Sequence, residues 1–146
     1  MYPRPYRLSR QQPLEYKTRQ TISKEMHKTN MQPTIYHNPR CSKSRQTLEL
    51  LKEQGHEPRV VEYLKTPPDR ATLERILDRL GLEPRDLMRK NEPEYKENNL
   101  DDQSLGRDAL IDALLAHPKL IERPIVVTDG KAAIGRPPEQ VLEILP

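Results

Sequence analysis

Cys41 is the only cysteine in the chain, and it lies in the stretch YHNPRCSKSRQTLELL, residues 36–51. Pro39 turns the chain just before it, and an apolar pattern at helical spacing begins just after it. A cysteine at the first turn of a helix meets unpaired backbone N–H groups and the positive end of the helix dipole, and both stabilise a thiolate. Arg40, Lys43 and Arg45 add positive charge nearby. In such settings a thiol falls from ~8.5 to roughly 3.5–7.5, which makes it a nucleophile at neutral pH. The same N–H groups can cradle an anion. A buried structural cysteine is the alternative, but the flanking Arg, Ser, Lys and Ser are not an apolar setting. The pattern Cys41-Ser42-Lys43-Ser44 is C-x-x-S. Without a second cysteine at position 44 no internal dithiol can form, so turnover must borrow an outside thiol, glutathione or a partner protein.

Elements of alternating type must hold this loop. PTIYH (33–37) and PRVVEYL (58–64) read as strands. SKSRQTLELLKEQG (42–55) reads as a helix with Thr47, Leu48, Leu50 and Leu51 on one side, stopped at Gly55. DRATLERILDRLG (69–81) places Leu73, Ile76, Leu77 and Leu80 at spacings of three and four and ends on Gly81. Residues 83–104 are polar, with a short helical piece at PRDLMRK and an irregular NEPEYKENNLDD. GRDALIDALLAHP (106–118) is a further helix with Leu110, Leu114 and Leu115 inward. IVVT and KAAI are strands joined by Asp129-Gly130, a hairpin dipeptide. PPEQVLEIL (137–145) reads as a terminal helix opened by proline. The order is β-α-β, a helical insert, then β-β-α. The first two strands should run parallel and the hairpin antiparallel. The expected fold is α/β and thioredoxin-like, a four-stranded mixed sheet with flanking helices and a helical insert over residues 32–146.

Composition bounds the rest. The chain has 34% hydrophobic and 32% charged residues, no Trp and no Phe, so its core must be aliphatic. No run approaches the ~18 apolar residues of a membrane span, and no apolar stretch near the start resembles a secretory signal. A single cysteine fits a reducing, cytoplasmic compartment. Residues 1–30 hold seven Lys or Arg against two Glu, a net of +5, while the remaining 18 basic and 20 acidic side chains net −2. The overall +3 therefore belongs to the tail and gives no reason to expect a nucleic-acid or membrane partner. Residues 1–31 lack apolar periodicity and read as a disordered basic tail. Met31 stands directly before the first strand, and on that view the tail is an upstream extension of the reading frame.

The loop HNPRCSKSR resembles the active-site loop of the glutaredoxin-coupled arsenate reductases, of the form H-N-P-x-C-[GS]-x-S-R. EYLKTPPDRATLERILDRLG, LMRKNEPEY and HPKLIERPIVVTDGKAAIGRPPEQVLEIL are similar to later segments of the same family, in the same order, from about residue 33 to 145. Each motif is weak; their order and spacing together are specific. The resemblance implies that Cys41 attacks arsenate to form a thiol–arsenate adduct, with Arg70, Arg123 and Arg136 holding the oxyanion. Glutathione would then release arsenite and leave a mixed disulfide, which glutaredoxin resolves. It implies no bound metal or cofactor, only glutathione as cosubstrate, and His27, His37, His56 and His117 are too scattered to suggest a metal site. Supporting residues are His37, which tunes the thiol or caps the strand, Asn38, which braces the loop or meets the anion, and Ser44, which donates to the thiolate or caps the helix. Arg70 and Arg136 have plain alternatives, as a solvated helix charge and a turn residue. Arg89 is expected to be structural and Arg45 a helix-face charge. In thioredoxin-like folds the bond before Pro124 is expected to be cis and to face the cysteine. The competing reading is a non-catalytic thiol-stress regulator or protein-binding module with Cys41 as a redox handle.

Overall fold

Alternation along the strands decides which side of the sheet each helix covers. In the computed structural model, which describes residues 32–146, β1 is Thr34–His37, β2 Arg59–Glu62, β3 Ile125–Thr128 and β4 Lys131–Ile134. They form one sheet in the order β2-β1-β3-β4. β1 pairs parallel with β2, matching His37 to Glu62, and antiparallel with β3, matching Tyr36 to Ile125. β3 and β4 form the antiparallel hairpin expected at Asp129-Gly130, with Gly130 at φ +73°. The mixed, thioredoxin-like sheet is the one anticipated from the element order.

Successive side chains point to opposite faces, and the core divides accordingly. Ile35 and Val126 join Leu51 and Val141 in one cluster, while Ile125 joins Leu73, Ile76, Leu77, Ile111 and Leu114 in a larger one. The first face is covered by α1 (Ser42–Glu53) and by the C-terminal segment, the second by α2 (Arg70–Leu80) and α4 (Arg107–Ala116). Burying a Leu or Ile side chain stabilises by roughly 1.5–3 kcal/mol, so these two aliphatic clusters hold the sheet without Trp or Phe. On α1 the buried residues are Ser44, Thr47 and Leu51; Leu48 and Leu50 are only partly covered. α2 starts at Asp69, whose carboxylate accepts the Thr72 N–H at 2.8 Å, and stops at Gly81, left-handed at φ +67°.

Three segments depart from expectation. NEPEYKENNLDD is not wholly irregular: Pro93–Glu97 forms a short helix, α3, opened by proline. The helical insert is otherwise built from single 3-10 turns at Pro84–Leu87 and Pro118–Leu120 around α4. The terminal segment Pro138–Ile144 is a 3-10 helix, not an α-helix. With three residues per turn, Pro138, Val141 and Ile144 fall on one line. That line meets the sheet: Pro138 and Val141 are buried and Ile144 packs on the smaller cluster. The basic segment 1–31 lies outside the described residues. Pro33–Pro146 forms a single packed unit.

Candidate active site

Cys41 caps the N-terminus of α1 in an extended conformation (φ −94°, ψ 124°), with its own N–H bonded to the Asn38 carbonyl at 3.0 Å. The loop is braced from within. Asn38 Oδ1 accepts the Arg40 N–H at 3.0 Å, and Arg45 Nη1 donates to the Pro39 carbonyl at 2.9 Å. Both side chains therefore serve the loop backbone. Ser44 Oγ accepts the Asn38 N–H at 3.0 Å and lies 2.6 Å from His37 Nδ1. The Ser44 hydroxyl is thus committed to the strand end, and what Ser44 gives the sulfur is its backbone N–H. Burial pushes the His37 imidazole below its ordinary value, against the pull of Glu62, so the ring is a neutral partner for Ser44 near pH 7.

Cys41 is nearly buried, at 9% exposure. Burial alone would raise the thiol. It is outweighed by the Ser44 N–H, the Arg123 guanidinium and the Lys43 N–H, and the net effect holds Cys41 below its ordinary 9.0. Arg136 Nη2 stands 3.6 Å from the sulfur. Two guanidinium groups therefore flank one sulfur, and each arginine directly precedes a proline: Arg123–Pro124 is cis, as expected, and so is Arg136–Pro137, which the sequence did not suggest.

Arg70 is not brought to the sulfur. Its guanidinium pairs with Asp112 of α4, and at 3.6 Å with both Asp108 and Glu74. The physical reason is that α4 packs against α2 and presents two carboxylates one turn apart to a long, half-exposed side chain. The expected convergence of three arginines is thus a convergence of two, with the third held by acidic neighbours.

Two acidic residues missed in the sequence hold the arginines in place. Glu122 Oε1 accepts Arg136 Nε at 3.1 Å and Arg89 Nη1 at 2.8 Å; Glu92 Oε1 lies 3.3 Å from Arg89 Nε and 3.6 Å from Arg123 Nη1. Arg89 is the keystone of this network and keeps the structural part expected of it. Glu122 stands next to Arg123 in ERP, and an acid abutting an anion-binding candidate was the available signal. An open groove of about 790 Å³ runs beside the loop, lined by His37, Pro39, Ser42, Arg45 and Pro138.

The profile of the ArsC family matches residues 36–144. The chain belongs to the ArsC family. An ArsC relative, YfgD of Escherichia coli (strain K12), is described as uncharacterized; it is 64% identical over 115 residues, covering 78% of this chain and 97% of the relative. The arsenate reductase of Neisseria meningitidis serogroup A is 52% identical over 112 residues, covering 76% and 96%. Among solved ArsC-like structures, arsenate reductase from Vibrio cholerae matches with a TM-score of 0.77 and 59% identity, covering 79% of this chain and 98% of that one. The family match spans the cysteine loop, both sulfur-flanking arginines and the insert that carries Arg89 and Glu92.

Proposed function

We propose that this ArsC protein reduces arsenate to arsenite through Cys41, with glutathione and glutaredoxin as the reductants. The observation that carries the reading is the sulfur itself: a thiol held below its ordinary value, flanked by Arg123 and by Arg136 at 3.6 Å. A thiolate and an oxyanion repel one another. Guanidinium forks beside both offset that repulsion and match tetrahedral oxygens. Relatives named arsenate reductase support the choice of oxyanion.

In the reaction the Cys41 thiolate attacks arsenic, an As–S bond forms, and one arsenate oxygen leaves as water after taking up protons. A glutathione thiolate then attacks the Cys41 sulfur. The S–S bond forms as S–As breaks, and the electron pair leaves with arsenic as arsenite. The two electrons come from the two sulfurs, now joined as a mixed disulfide. A glutaredoxin thiolate takes the glutathionyl group and returns Cys41 as thiolate.

A coupled assay tests this. Arsenate, glutathione, glutaredoxin, glutathione reductase and NADPH are supplied with the protein and with Cys41→Ser. Arsenate-dependent NADPH consumption is expected only with Cys41 present. Equal rates for the two would overturn the reading and leave Cys41 as a redox handle on a binding module.

A further inference from the structure

Tyr63 follows the last residue of β2, and β2 runs parallel to β1 in a register that matches Glu62 with His37. Tyr63 therefore emerges at the same sheet end as Asn38 and the cysteine loop. The residue is 1% exposed, and its hydroxyl makes no hydrogen bond of proper geometry, although the Arg123 guanidinium stands close beside it. A buried polar group without a partner is uncommon and calls for an explanation. A second such atom lies in the same place: Arg123 Nε is buried and also unpaired. The charged groups acting on the phenol are Arg123, Arg89 and the Cys41 sulfur. Burial pushes the phenol up against the pull of Arg123, so the hydroxyl keeps its proton and can donate.

We propose that the Tyr63 hydroxyl is a substrate-binding group, donating together with Arg123 Nε–H and Arg136 to the oxygens of a tetrahedral oxyanion seated over Cys41. The inference rests on the reading under Proposed function and adds a neutral donor to it. An anion with several acceptor oxygens supplies in one step what the two orphaned donors lack. A neutral O–H suits this place because the two guanidinium groups are already countered by Glu92 and Glu122. Further positive charge is not what the buried site is short of. The phenol also packs in the larger aliphatic cluster, which fixes its position before the anion arrives.

The test is Tyr63→Phe, read in two ways on the full chain. Alkylation of Cys41 is followed with increasing arsenate. Arsenate is expected to protect the unsubstituted protein, and Tyr63→Phe should raise the half-protecting concentration about tenfold or more, as loss of a hydrogen bond to a charged group implies. Thermal unfolding without arsenate is the second reading. Removing an unpaired buried hydroxyl should leave the melting temperature unchanged or higher. Equal protection of both proteins overturns the inference while sparing the proposed function. A lower melting temperature, or failure of Tyr63→Phe to fold, overturns it too, because the hydroxyl would then be serving the fold. Absence of protection in the unsubstituted protein overturns the proposed function and this inference with it.

Discussion

Arg136 reaches Cys41 from 95 residues away, with Nη2 3.6 Å from the sulfur. Its Nε is pinned on the other side by the Arg123 carbonyl at 2.7 Å and Glu122 at 3.1 Å. A guanidinium tethered at one edge presents the other edge to the sulfur in a fixed orientation.

Replacing that side chain should therefore raise the thiol. In Arg136→Ala the pH midpoint of Cys41 alkylation is expected to move up, and arsenate turnover to fall by one to two orders of magnitude, the scale of roughly 1.5–3 kcal/mol for a hydrogen bond to a charged group. Arg136→Lys keeps the charge without the two-edged tether and should recover only part of either. An unchanged alkylation midpoint in Arg136→Ala would count against the contact.

The lowered thiol also makes stability depend on pH. The folded value lies below 9.0, the ordinary one, so the unfolded chain binds more protons between the two. Stability from Cys41 is then fully present above 9.0 and is lost as pH falls through the folded value. Urea titrations of the unsubstituted protein and Cys41→Ser should diverge as pH rises across that window. His37, lowered from 6.5, also loses stability on acidification but is common to both proteins and cancels. A pH-independent difference would refute the assignment.

Gly135 is closely packed beside the site. A Cβ there would meet Thr47 Oγ1 at 2.5 Å and Pro124 Cγ at 2.8 Å. Gly135→Ala should cost roughly 1–3 kcal/mol by overpacking. It should also disturb Arg136, the next residue. Adding Thr47→Ala opens space on one side only, so the double variant should be more stable than the sum of the single losses implies. Thermal melts of the four proteins measure this coupling; strict additivity would argue that the crowding is relieved elsewhere.

Asp112 is the carboxylate that Arg70 would have to leave to meet an oxyanion. Asp112→Asn weakens that hold at a stability cost below ~1 kcal/mol, since the pair is half-exposed. If Arg70 serves the anion, the KM for arsenate should fall in Asp112→Asn and rise in Arg70→Ala, with kcat for Asp112→Asn little changed. Indifference of KM to both substitutions would assign Arg70 to the α2–α4 ion pairs alone.

Local rules were enough for much of this fold. The three-and-four spacing of Leu73, Ile76 and Leu77, the Gly81 stop and the Asp129-Gly130 turn each depend on residues within a few positions of one another, and all appear where the pattern put them. The terminal segment escaped because Pro138, Val141 and Ile144 fit one face of either helix type, and only contact with the sheet selects the 3-10 form. The short helix at Pro93–Glu97 has no buried residue of its own, so no apolar period announced it.

The chain's own order of residues determined that its single thiol would stand at a helix start, among unpaired N–H groups and behind a proline turn. Charge and backbone within one loop are enough for that. Tertiary structure alone decided which distant groups share that thiol. Arg123 and Arg136 reach it because Glu92 and Glu122 hold them there, while Arg70 turns to Asp112 because α4 brings carboxylates within its reach. A long, flexible cation goes to the nearest favourable anion, and nearness between residues far apart in sequence exists only once the helices have packed.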